Sequence, residues 1–380
     1  MLIDTTDCPS SPVLVAVSGG SDSLALLKHL HHQLSDNQLY AATVDHGLRP
    51  EAVEEANFVS QFCKNLGRPH TTLKWTPNET PSSQSARVGR YELLVAHARN
   101  QGAATIALGH TLDDQAETLL MRAIRAKAES GTRGLSGMSE WSSYEDIKLW
   151  RPLLDYTRND LQQSLQSNNQ VWINDPSNEN LNSERVRIRQ FLNHKPEGFP
   201  SKEAIAHLAK YSAKTRLWLG NKTAIVIDKY CKSSENGEVS FQCPAHLPKP
   251  VVLDTLSTLI LAVGGMPYRP AISKIQDTAS ALTTNNQMRC TVGRCIVDVK
   301  SSTANIKRED RNMPPLPLPG EETQIYDRRW LLPQKTDGQP HKTSPFITTL
   351  ERFRPDVDDQ VYFAVKNLLS KVVLHDLCST

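Results

Sequence analysis

The sequence predicts an α/β protein, with a doubly wound, mostly parallel sheet followed by a mainly helical linking segment and a small α+β C-terminal region. Three observations carry that prediction. Short apolar runs alternate with segments of helical period through the first 125 residues, the pattern of repeated strand–helix units. Three of the strand candidates end in polar turns, as strands do at the ligand-binding edge of an open parallel sheet. Beyond residue 200 the alternation stops.

Val13–Val17 is a continuous apolar run that suits a strand buried on both faces, and it leads into Gly19-Gly20. Ser23–Leu34 follows with leucines at positions 24, 27, 30 and 34, a helical spacing. Leu39–Val44 reads as a second strand, with Asp45-His46-Gly47 at its end. Pro50 opens a helix whose apolar positions Val53, Ala56, Val59, Cys63 and Leu66 recur at helical period, and Gly67 ends it. His70–Trp75 is a third strand, 85–100 a helix, Thr105–Leu108 a fourth strand ending in Gly109-His110, and 113–125 a helix. Ser201–Leu219 is helical, Asn221–Ile227 is a strand or a helix end, and Val251–Val263 is an apolar helix. Met288–Val299 reads as a hairpin about Gly293-Arg294, and 313–320 as a proline-rich connector.

The 380 residues include 43 Lys+Arg and 41 Asp+Glu, a net +2 that argues against a polybasic nucleic-acid binder. The balance is uneven. Residues 1–117 hold 8 basic and 13 acidic side chains, whereas residues 185–230 hold 10 and 3. The basic block reads either as a solvated helical surface or as a phosphate-binding face. No apolar run approaches the ~18–20 residues of a membrane helix, and the N-terminus lacks the basic and apolar regions of a signal peptide. The seven cysteines are scattered, odd in number and without a Cys-x-x-Cys pair, which disfavours a disulfide framework or zinc ribbon and suits thiols in a reducing cytosol.

The turn Ser18-Gly19-Gly20-Ser21-Asp22-Ser23 between strand and helix is a phosphate cradle. Two glycines let backbone N–H groups approach an anion, three hydroxyls add donors, and the helix start adds a positive dipole end. Neither the Walker A spacing nor the dinucleotide fingerprint fits it. The string Gly109-His-Thr-Leu-Asp-Asp114-Gln-Ala-Glu117 reads in two ways: Asp114 and Glu117 form a capping box, or the acids and the histidine form a site for a cation or an ammonium group. Arg185, Arg187 and Arg189 alternate; as a strand they face one side, as a helix they spread over most of a turn.

The cradle resembles the Ser-Gly-Gly-x-Asp-Ser PP-loop of the N-type ATP pyrophosphatases. With Asp45-His-Gly-Leu-Arg49, Ala86-Arg-Val-Gly-Arg-Tyr91, Gly109-His-Thr-Leu-Asp-Asp-Gln-Ala-Glu-Thr118, Gly134-Leu-Ser-Gly-Met138, Arg151-Pro-Leu-Leu154 and Asp175-Pro-Ser-Asn178 in register, residues 13–192 resemble the tRNA(Ile)-lysidine synthase family, in a short bacterial form. Ala52 and Ala126 depart from its pattern. The resemblance implies a PP-loop ATPase-type sheet and ATP with Mg²⁺. It further implies ligation of free L-lysine to C2 of the wobble cytidine in an isoleucine tRNA with a CAU anticodon, through an adenylated base. It makes Asp22, Asp114, Glu117 and Arg185 catalytic candidates, and Ser18, Gly19, Gly20, Ser21, Asp22, Ser23, Asp45 and His46 the ATP site. Asp114 and Glu117 would orient the lysine. Arg87, Arg90, Arg185, Arg187 and Arg189 would contact tRNA, and His110 is either a base or structural. No dedicated protein metal site is expected. The expected organisation is a catalytic domain over residues 1–195, a basic, mainly helical tRNA-contacting segment over 196–250, and a small C-terminal region over 251–380. The expected setting is cytoplasmic, without membrane association, and a homodimer is compatible with it. The rival readings are a PP-loop tRNA thiolase, a small-molecule synthetase and a non-catalytic RNA-binding protein. The first needs cysteines near the PP-loop domain, whose core contains only Cys63, on an apolar helical face.

Overall fold

The computed structural model describes residues 9, 12–35, 38–47, 52–76, 82–125, 137–175, 179–234, 236–266, 269–311, 324–326, 330–332, 344–345 and 359–370. The proline-rich connector at 313–320, and residues 48–51, 131–136 and 176–178 of the sequence motifs, lie outside these.

The elements of the first compact unit are β1 (Val13–Ala16), α1 (Ser21–Gln33), β2 (Leu39–Asp45), α2 (Ala52–Asn65), β3 (His70–Lys74), α3 (Ser83–Asn100), β4 (Thr105–Leu108), α4 (Leu112–Arg125), β5 (Trp141–Tyr144), β6 (Ile147–Trp150), α5 (Arg158–Gln166) and α6 (Glu184–Asn193). The sheet order is β3-β2-β1-β4-β6-β5. All neighbours pair in parallel except the β5–β6 hairpin at the edge. β1 and β4 are wholly buried, which is why both read as unbroken apolar runs. The chain leaves β1 toward β2 and β3, then crosses back to β4, so the topological switch point lies between β1 and β4. The carboxyl ends of those two strands are the Ser18–Ser23 turn and Gly109-His110. The expected doubly wound architecture is present, together with an unanticipated hairpin, β5–β6.

The unit closes with the start of α7 (Lys202–Tyr230), and the division by compactness falls after Ala213, within that helix. α7 runs unbroken through Asn221–Ile227, which settles the strand-or-helix-end alternative for that segment. The second unit contains β7 (Cys231–Ser233), β8 (Val239–Gln242), α8 (Lys249–Gly264), α9 (Ile272–Thr284), β9 (Met288–Val292), β10 (Cys295–Lys300), β11 (Thr303–Arg308), β12 (Gln324–Tyr326), β13 (Trp330–Leu332), β14 (Ser344–Pro345) and α10 (Asp359–Leu369). β7, β8, β11, β10 and β9 form an antiparallel sheet in that order, including the expected hairpin about Gly293-Arg294. Its core joins Phe241, Val297 and Ile306 from the sheet to Val252, Leu256 and Ile260 of α8, a helix buried almost all round, and to Ile275 of α9. The second unit is thus an α+β body, and it takes in β7 and β8 from the segment 196–250 that was expected to be mainly helical.

Candidate active site

The Ser18–Ser23 turn is held open from behind. Gly19 has φ +86°, and a Cβ there would lie 2.7 Å from Ile173 Cδ1. The Ile173 N–H donates to the Gly19 carbonyl at 2.9 Å, so the segment after α5 backs the loop. Ser23 Oγ accepts from the Ser18 N–H and donates to the Gly20 carbonyl, both at 3.1 Å, and thereby closes the turn on itself. Ser21 Oγ donates to Asp22 Oδ1 at 2.9 Å. Gly20 caps α1 without any side-chain hydrogen bond. The first-turn N–H groups therefore receive no side-chain acceptor from the N-cap, and with the positive end of the helix dipole they make a candidate anion site. Gly109 brings β4 against this turn: a Cβ there would lie 3.1 Å from both Cα and N of Ser23.

Beyond Gly109 the chain enters α4 through Thr111. The N–H and Oγ1 of Thr111 donate to Asp114 Oδ2 at 2.9 and 3.1 Å, and the Asp114 N–H donates back to Thr111 Oγ1 at 3.4 Å. The capping box is therefore Thr111 with Asp114, and the Asp114–Glu117 version is corrected. This leaves Asp114 Oδ1 and the whole of Glu117 for other work.

That work is ionic. Glu117, 1% exposed, accepts from Arg189 Nε at 2.7 Å and lies 3.6 Å from Arg185 Nε. Arg185 and Arg189 sit one turn apart on α6, so the alternating arginines form a helix and not a strand. Two of them share a face, while Arg187 points elsewhere and donates to the carbonyls of Leu181 and Asn182 at 2.8 and 3.1 Å. Arg158 Nε donates to Asp22 Oδ2 at 3.0 Å, and its Nη2 lies 3.6 Å from Asp114 Oδ1. Three carboxylates, from the loop and α4, thus face three guanidinium groups from α5 and α6. Burial holds Asp22 above the usual carboxylate range against the pull of Arg158, and raises Glu117 against that of Arg189. Burial also pushes Asp114 upward, but His110, Arg158 and the Thr111 N–H outweigh it and hold it low. Next to it, Asp113 accepts from Lys202 Nζ at 2.7 Å and from the Arg158 N–H at 2.8 Å.

A second group gathers at the ends of β2 and β3. Asp45 Oδ1 accepts from the Gly47 N–H at 2.8 Å. His46 packs edge-on against Trp75, with ring centroids 5.6 Å apart, and its Nδ1 is buried without a hydrogen bond. His110 Nδ1 is buried in the same way. Burial lowers both imidazoles, and the nearby charge of Arg90 lowers them further. Arg87 lies over the ring of its neighbour Tyr91, 5.3 Å from the centroid. Cys63 is buried, and burial pushes its thiol up to about 12, so it is no resting thiolate.

The sequence reading did not anticipate Arg158, Ile173 or Gln115, and it counted Asp113 among the acids and Lys202 in the basic block without pairing them. Gln115 makes two bonds to Met138, accepting from its N–H at 2.6 Å and donating to its carbonyl at 2.7 Å, which ties the last residue of the Gly134–Met138 motif to α4. A signal for Arg158 was present. Thr157 and Asp160 form a capping box, which sets Arg158 in the first turn of α5.

The PP-loop domain family matches residues 3–195. The chain is 34% identical over 328 residues to a tRNA(Ile)-lysidine synthase of Rhizobium meliloti (strain 1021), covering 82% of this chain and 70% of that protein. It is 34% identical over 334 residues to the tRNA(Ile)-lysidine synthase of Ruegeria pomeroyi, covering 86% and 78%. It is 32% identical over 308 residues to that of Methylobacterium nodulans, covering 78% and 90%.

Proposed function

The chain belongs to the tRNA(Ile)-lysidine synthase family of PP-loop proteins, and from that premise we propose how its residues divide the work. The reaction is the ATP-dependent ligation of lysine to the wobble cytidine of an isoleucine tRNA. ATP adenylates the oxygen at C2 of the base and releases pyrophosphate; the ε-amine of lysine attacks C2 and loses a proton; AMP leaves and lysidine forms. The observation that carries this reading is the meeting of Asp22, Asp114 and Glu117 beside an uncapped helix start at the switch point between β1 and β4.

The N–H groups of the Ser18–Ser23 turn and of α1 hold the polyphosphate, with Asp22 as the carboxylate beside it. The fit for Mg²⁺ travelling with ATP rests on Asp22, whose two oxygens face one hydroxyl and one guanidinium rather than a closed set of ligands. Such an ion supplies charge neutralisation to the phosphates. Free lysine carries an ammonium with an ordinary pKa of about 10.4, so it must be both bound and deprotonated. Asp114 Oδ1 is the oxygen offered to it, since its cationic neighbours stand at 3.6 and 4.0 Å. Glu117, raised by burial, is suited to receive the proton. Arg185 stands beside both acids and stabilises charge on the activated base. His46 and Asp45 border the nucleotide, and Arg87, Arg90 and Arg187 serve the tRNA side together with the basic segment 196–250. Among the described residues no helix is long and apolar enough to cross a membrane, and a cytoplasmic setting follows from a tRNA substrate.

The test is incubation of the chain with ATP, radiolabelled lysine and isoleucine tRNA bearing CAU. Label should enter the tRNA only when ATP is present. Intact tRNA that stays unlabelled would overturn the reading.

A further inference from the structure

Arg158 joins the two halves of the site. Its Nε donates to Asp22 Oδ2 at 3.0 Å, its Nη2 lies 3.6 Å from Asp114 Oδ1, and its Nη1 lies 4.0 Å from Glu117 Oε1. Its backbone is pinned as well, by the Asp113 carboxylate on its N–H and by the Thr157 cap beside it. One guanidinium therefore serves a carboxylate of the phosphate turn and a carboxylate of the amine site. The two contacts are unequal: a hydrogen bond to Asp22, and a looser ion pair to Asp114. An ammonium arriving at Asp114 Oδ1 meets the Arg158 guanidinium there, the nearer of two cations, with Arg185 at 4.0 Å, and like charges at that range in a partly dehydrated site oppose binding. Asp22, the hydrogen-bond partner of Arg158, stands in the first turn of α1, so phosphate bound at that helix start would be a second anion near the same guanidinium, and the planar fork of arginine suits phosphate oxygens.

We propose that Arg158 couples the two substrates: without nucleotide it screens Asp114 from the amine, and bound polyphosphate draws it toward the Ser18–Ser23 turn and opens Asp114 to the lysine ammonium. The proposal rests on the ATP-and-lysine reading above. Arg158 is a positioning residue, since it acts through Asp114. By linkage the effect is reciprocal: nucleotide tightens lysine, and lysine tightens nucleotide by the same factor.

The experiment is calorimetric titration of L-lysine into the full chain, with and without a non-hydrolysable ATP analogue and Mg²⁺, for the wild type, Arg158→Gln and Arg158→Lys, with melting curves to establish folding. The wild type should bind lysine about tenfold more tightly with the analogue, within the usual range of such couplings. Arg158→Gln should bind lysine more tightly than the wild type when nucleotide is absent, and the analogue should then change its affinity by less than about twofold. Should Arg158→Gln fail to fold, Arg158→Lys decides, because a lysine keeps the charge but cannot span both carboxylates, and it should lose most of the coupling. Undiminished coupling in a folded variant, or none in the wild type, overturns the proposal. Lysine transfer to tRNA by a wild type without coupling would remove only the role of Arg158, whereas no lysine binding and no transfer would overturn the reading beneath it too.

Discussion

Replacing Gly19 by alanine probes the phosphate turn most directly. The residue sits at φ +86°, where an L side chain is strained, and the new Cβ would lie 2.7 Å from Ile173 Cδ1 and 3.4 Å from Val59 Cγ2. The backbone conformation alone costs about 1–3 kcal/mol. The contact with Ile173 adds to it, because Ile173 is tethered to this very residue through its N–H. In a unit of this size each kcal/mol lowers the melting temperature by about 2–4 °C. Gly19→Ala should therefore melt several degrees below the wild type and bind ATP more weakly, since the strained turn carries the N–H groups that meet phosphate. Ile173→Val removes the offending Cδ1 at an ordinary cost of about 0.5–1.5 kcal/mol. The double variant should be more stable than the two single losses predict, while still below Ile173→Val alone, because the φ strain remains. Melting curves and nucleotide titrations on the four proteins check this. Strict additivity would refute the steric argument, and a wild-type melting temperature for Gly19→Ala would refute the strain argument as well.

Gly109→Ala forces β4 away from backbone atoms of Ser23, which cannot rotate aside, so it should cost about 1–3 kcal/mol and weaken ATP binding; equal affinity would show that the turn and β4 need not touch. Burial raises Glu117, so single-turnover lysine transfer should fall with decreasing pH through a value above the ordinary carboxylate pKa of about 4.3, as protonation removes the group that receives the lysine proton. Glu117→Gln should flatten that limb of the pH profile, and a wild-type profile already flat there would remove Glu117 from proton transfer. Arg185→Ala should slow lysine transfer at saturating tRNA, whereas Arg187→Ala should weaken tRNA binding and reduce the log–log salt slope by about one. Filter binding and rate measurements separate the two, and the opposite pattern would refute the division of the α6 faces.

The parallel sheet was legible because its central strands are buried on both faces. Val13–Ala16 and Thr105–Leu108 have no polar alternation to blur them, and the helices between carry clear periodicity. The β5–β6 hairpin was not legible: Trp141-Ser-Ser-Tyr144, the edge strand, and Ile147-Lys-Leu-Trp150 beside it are four residues each, and their identity comes from stacked aromatics, Trp141 on Trp150 and Tyr91 on Tyr144. Asn221–Ile227 read as a strand or a helix end, but α7 continues because its far half packs into the second core and Thr223 donates to buried Asp254 at 2.8 Å. Tertiary burial outweighed the local propensity there.

For the site, neighbouring residues alone pointed to the Ser18–Ser23 cradle and the acids of α4, because loop conformation, capping and backbone donors are encoded within a few positions, and the motifs in register carried the resemblance to the family. Only the tertiary structure decided which charges meet. Arg158 reaches Asp22 across 136 residues, and Arg189 reaches Glu117 across 72. An ion pair of that separation leaves no periodicity and no spacing in the chain. It forms because α5 and α6 pack where β1 and β4 end, and buried carboxylates there need a cation within a few ångströms.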